Sequence, residues 1–62
     1  MNKMEFLFKV GDLIMHKYFG PAIVVENGKF DKLSLAPFYR IFLLEPQKIW
    51  TAKESYCKLL NR

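Results

Sequence analysis

At 62 residues the chain holds one domain, and a domain this small buries only ~60% of the surface its unfolded chain exposes. One cysteine excludes an internal disulfide, and one histidine beside it is too few for a structural metal site, so apolar packing must supply the stability. The net charge of +4 comes from scattered lysines and arginines, which serve solubility and also attract nucleic acid or an acidic protein surface.

Six Phe, three Tyr and one Trp exclude a disordered chain. Residues 1–9 alternate loosely, with Met4, Phe6 and Phe8 against Glu5, Leu7 and Lys9, and predict a strand or an extended arm. The same stretch is not expected to be a secretory leader, because Glu5 and Lys9 break its apolar run and no small-residue cleavage site follows. Gly11-Asp12 marks a turn, with Asp12 expected to bond nearby backbone N–H groups. Residues 13–16 form a short strand, Ile14 and His16 on one face, Leu13 and Met15 on the other. Tyr18-Phe19-Gly20-Pro21 is the next turn: Gly20 takes a positive φ at little cost, and Pro21 has to open a strand or lie on an edge.

Residues 22–26 carry a β-branched run and make a clear strand. Asn27-Gly28 signals a tight hairpin, yet residues 29–37 are mixed and read as a loop with some extended character, ended by Pro37. Residues 38–45 form the second clear strand. Tyr39, Ile41 and Leu43 share one face; Phe38, Arg40, Phe42 and Leu44 share the other. Pro46-Gln47 turns the chain into a strand over 48–52, then 53–55 makes one helical turn and 56–60 the closing strand. Short strands at regular spacing predict an all-β fold: one domain over 1–62, about five strands in a partly open barrel, with a short helical turn before the last.

No motif implies catalysis. His16 and Cys57 would make a catalytic pair only if the fold joined them. His16 is expected instead to hydrogen-bond a turn, and Cys57 to pack as a small hydrophobe. Gly11, Gly20 and Gly28 are too far apart for a phosphate loop. The reading is a non-enzyme with no cofactor and no metal. A lone cysteine fits a reducing compartment, so the expected location is the cytoplasm, and no apolar run reaches the ~18–20 residues that span a bilayer.

Val10-Gly11-Asp12, Ile14, His16, Phe19-Gly20 and Ile23-Val24-Val25 resemble the opening of SH3-like and Tudor-like barrels, among them the RNA-polymerase-interaction domain of CarD-type transcription factors and the C-terminal Tudor-like domain of bacterial repair helicases. Tyr39-Arg40-Ile41-Phe42, Trp50 and residues 55–60 resemble the close of such barrels. The whole chain is similar to small stand-alone barrels encoded by bacteriophages. The resemblance implies a five-stranded SH3-like barrel and a phage accessory protein acting in the host cytoplasm, with RNA polymerase as the first partner to test. Pro21 and the long 27–37 connection depart from the pattern.

With Tyr39, Ile41 and Leu43 inward, Arg40, Phe42 and Leu44 point outward, and an exposed apolar patch there predicts protein contact or self-association. The partner-binding residues expected are Tyr18, Phe19, Arg40, Phe42 and Leu44, of the kinds that dominate interfaces. A cover by the N-terminal segment, through Phe6 and Phe8, is the alternative. Nucleic-acid binding is the other reading, with Tyr18, Phe19, Phe30, Phe42 and Trp50 as stacking rings and Lys17, Lys29, Lys32, Arg40 and Lys48 as cations. A third is a structural subunit of a virion or other homo-oligomer.

Overall fold

A computed structural model describes residues 6–61. It is all-β: β1 (Leu13–His16), β2 (Gly20–Val24), β3 (Lys29–Phe30), β4 (Pro37–Leu43), β5 (Lys48–Lys53) and β6 (Cys57–Asn61), with a 3-10 turn at Glu54–Tyr56. All pairings are antiparallel, in one sheet whose backbone order runs β6-β1-β2-β4-β5. Because β5 occupies one side of β4 along residues 38–43, the two-residue β3 shares the other side with β2. The outer strands β5 and β6 are not paired to each other, so the sheet is open. The expected helical turn before the last strand is present, displaced by one residue. Of the expected 1–9 segment, 6–9 form no strand, and 1–5 lie outside the described residues.

The inner face follows from strand alternation. Ile14, Ala22, Val24, Tyr39, Ile41, Leu43 and Ala52 are buried and form the core with Phe8. Burying each of the larger aliphatic side chains contributes about 1.5–3 kcal/mol relative to leaving it exposed. The core extends under the described part of the arm. Phe8 packs on Tyr39 at 5.3 Å, while Phe6 stacks on Phe30 at 4.5 Å and meets Tyr39 edge-on. Phe6 and Phe8 therefore seal the inner, Tyr39 side and do not cover the Arg40–Phe42 face. The Tyr39 hydroxyl accepts the Phe8 N–H and donates to the Glu54 carboxylate, which also receives the Leu7 N–H.

The turns use their residues differently. Asp12 takes the Lys9 N–H on its side chain and returns its own N–H to the Lys9 carbonyl, closing the first turn as expected. Gly20 has φ 85°. Asn27-Gly28 forms no hairpin: β3 pairs with β4, not with β2. Gly28 lacks a positive φ, and a Cβ there would overlap the Phe6 ring, so the glycine serves close approach instead of turn geometry. The true reversal comes later, at 31–36, where Asp31 Oδ1 accepts the N–H groups of Leu33 and Ser34.

Candidate functional site: an aromatic groove on the β5 side of the core

The site starts from His16 at the end of β1. Its ring is buried, and its Nδ1 accepts the backbone N–H groups of Tyr18 (3.1 Å) and Phe19 (3.3 Å). Accepting both requires an unprotonated Nδ1, so the ring is neutral, with its proton on Nε2. Desolvation by burial favours the same state and lowers the His16 pKa. The expectation that His16 bonds a turn holds. The turn is also tied to the 3-10 segment, since Lys17 N–H donates to the Tyr56 carbonyl at 2.7 Å.

The latched turn presents its side chains to β5. Trp50 lies opposite Ile41 in the ladder and so on the core face, but among the described residues the sheet has no further strand to cover it. Phe19 meets the Trp50 ring at 4.9 Å, Tyr18 meets Tyr56 at 5.6 Å, and His16 joins the two pairs, at 4.9 Å from Phe19 and 6.0 Å from Tyr56. These rings border a groove of about 320 Å³, floored by Thr51 and Ala52. They remain open to solvent, Phe19 at 37%, Trp50 and Tyr56 at 38% and Tyr18 at 65%. Lysines lie over them: Lys48 Nζ is 5.2 Å from the Trp50 ring, Lys17 5.5 Å from Tyr18, and Lys53 6.0 Å from Tyr56. No carboxylate lines the groove among the described residues.

The structure divides the residues singled out in the sequence. Tyr18 and Phe19 are in the groove, with Lys17 and Lys48 on its rings. Arg40 borders an adjoining hollow shared with Trp50 and Thr51, and Leu44 one shared with Phe19. Phe42 lies on the opposite face, in an apolar row that crosses the sheet as Leu13, Ile23, Phe42 and Ile49. The five expected contact residues thus form no single patch. Lys29 and Lys32 sit in and after β3, away from the groove, and Phe30 is taken up by Phe6. Sequence reasoning missed Tyr56 and Lys53. Both stand at the helical turn before the last strand, a position the pattern did mark.

The fold does join His16 and Cys57, which face each other across β1 and β6. They make no reactive pair. Desolvation first, and then the nearby Glu54 charge, push the Cys57 thiol up to about 11, leaving it protonated at neutral pH. Its S–H points to the Lys53 carbonyl at 3.5 Å. Cys57 is half-buried and packs against the core, short of full burial. Among the described residues no group of His, Cys, Asp and Glu could hold a metal ion, and no helix is long and apolar enough to cross a membrane. No model of a known protein family, no curated protein and no solved structure shows significant similarity to this chain.

Proposed function

We propose that this chain is a non-catalytic binding module that grips a macromolecular partner in the aromatic groove. The observation that carries the reading is the open ring cluster. Phe19, Trp50, Tyr18 and Tyr56 are positioned by His16 and by strand pairing, yet left uncovered beside a packed core. Large rings held in advance lose little entropy on binding, which suits them to recognition. His16 spends its Nδ1 lone pair on two backbone N–H groups, and the Cys57 thiol lies outside the groove. The finer fold belongs to the same proposal: a small SH3-like barrel, supported by the pairing of the last strand with the first and by the one-turn helix before it.

The test is capture from a bacterial lysate by the tagged chain and by the Trp50→Ala, Tyr18→Ala double variant. We expect a specific fraction retained by the wild type and lost by the variant, whose thermal melt stays cooperative. Equal retention by both sinks the groove as the site. A second reading, docking on a protein such as RNA polymerase in a host cytoplasm, draws on the resemblance of Val10–Val25 and on the outer apolar row. There Phe42 and Ile23 are half-buried and Ile49 is 44% exposed, with Arg40 on the same face. A Phe42→Ser variant that loses a captured protein while the groove variant keeps it would favour that reading, and a concentration-dependent mass would identify self-association instead.

A further inference from the structure

Resting on the reading of the groove as the binding site, we propose that its ligand is a single strand of nucleic acid, one nucleotide in each of three joined hollows. The central hollow is the groove itself. On one side it shares His16 and Tyr56 with a hollow of about 460 Å³ that also takes in Lys17 and Lys58. On the other it shares Trp50 and Thr51 with a hollow of about 390 Å³ bounded by Arg40 and Ile49, which passes round the β5 edge to the opposite face of the sheet. The track therefore runs from Lys58 past Tyr56 and Trp50 to Arg40.

Charge and ring placement select the ligand. Among the described residues no carboxylate lines any of the three hollows, whereas each has a lysine or arginine in its wall. Protein–protein interfaces are enriched in rings and arginine but depleted in lysine. Here lysines accompany the rings, over Tyr18, Tyr56 and Trp50. That combination is what a single strand needs: a cation for each phosphate and a ring for each base. When a base stacks on Trp50 or Tyr56, the lysine over that ring moves to the adjoining phosphate. A duplex keeps its bases paired and away from the rings, so it gains only the charge.

The experiment is a titration of Trp50 fluorescence at neutral pH and low salt with a short oligothymidylate, a hairpin duplex and an oligoglutamate of matched charge. The oligothymidylate should quench Trp50. Its affinity should fall with salt at a log–log slope of about −2, from ~0.7 per neutralised phosphate. Tyr56→Ala should weaken binding about tenfold, as the loss of one stacked base does. Lys53→Gln, which leaves the rings in place, should take ~0.7 off the slope. Equal binding of oligoglutamate or of duplex overturns the inference while leaving the groove as the site. Absence of any quench also overturns it, and the capture experiment then decides the groove separately.

Discussion

Two clusters of four aromatic rings each are put to different use in this small chain. Phe6 and Phe8 close around Tyr39, with Phe30 stacked on Phe6, and the polar atoms there are satisfied inside the protein: the Tyr39 hydroxyl stands between the Phe8 N–H and Glu54. Phe19, Trp50, Tyr18 and Tyr56 make contacts of similar length, but no segment covers them among the described residues, and lysines lie over their faces. Ring content alone therefore does not separate core from site. What separates them is whether the chain supplies the last layer.

The comparison breaks most visibly under truncation. Tyr39→Ala removes a fully buried ring and strands the Phe8 N–H, a loss of about 3–5 kcal/mol. A single core of this size rarely holds more than about 3–5 kcal/mol, so the variant should show no cooperative melt. Trp50→Ala gives up a ring already open to water and should cost only about 1–2 kcal/mol. Circular dichroism melts check both, and a Trp50→Ala chain as unfolded as Tyr39→Ala would make the groove part of the core.

Gly28→Ala is a narrower wedge. The added methyl displaces Phe6 and with it the stacking on Phe30, at a cost of about 1–3 kcal/mol. Ring-current-shifted resonances of Phe6, Phe30 and Tyr39 should move, while those of Phe19 and Trp50 stay. Shifts spreading to the groove would mean that the two clusters are mechanically one.

Titration separates them at opposite ends of the pH scale. Burial, and then the hydrogen bond to Glu54, raise Tyr39 to about 12 from its ordinary 10.0. The folded state thus binds the extra proton, and this contribution, whole below pH 10.0, is lost as the pH climbs toward about 12. His16 behaves conversely. Its folded pKa lies below the ordinary 6.5, so the stability it lends is whole above pH 6.5 and drains away as the pH falls further. Protonation at Nδ1 also removes the acceptor of two N–H groups, so Tyr18 and Phe19 should lose their fixed positions before the core melts. Proton NMR of the His16 and Tyr18 rings through mild acid follows this. Loss of the core resonances in step with them would count against a local latch.

Of the covered cluster only the inward side of Tyr39 was legible in the sequence, because it depends on alternation along a single strand; Phe6 and Phe8, expected over the Arg40–Phe42 face, and Phe30, expected as an open stacking ring, gather on the Tyr39 side instead. Tyr39, Ile41 and Leu43 share a face in any strand that contains them. The open cluster was legible only in pieces. Trp50 reaches Phe19 through the pairing of β5 with β4 and of β4 with β2, and nothing local to either residue records that path. Asn27-Gly28 misled for a related reason. A glycine wanted for turn geometry and one wanted for the approach of a distant ring look the same until the ring is placed.

The smallest expected effect falls on Cys57, close to both regions. Glu54 serves the covered cluster through Tyr39 and Leu7, while its charge also helps to raise the Cys57 thiol beside His16. A rise from 9.0 to about 11 lowers the thiolate fraction at neutral pH about 100-fold, so alkylation by iodoacetamide should be slower than for a free thiol by a similar factor. Desolvation is the larger cause, so Glu54→Gln should restore only a small part of that rate. Alkylation of the wild type at the free-thiol rate would show that β6 opens from β1 often enough to bare the sulfur. The groove wall formed by Tyr56 would then be mobile as well, since the residue next to it in the chain anchors that strand against His16.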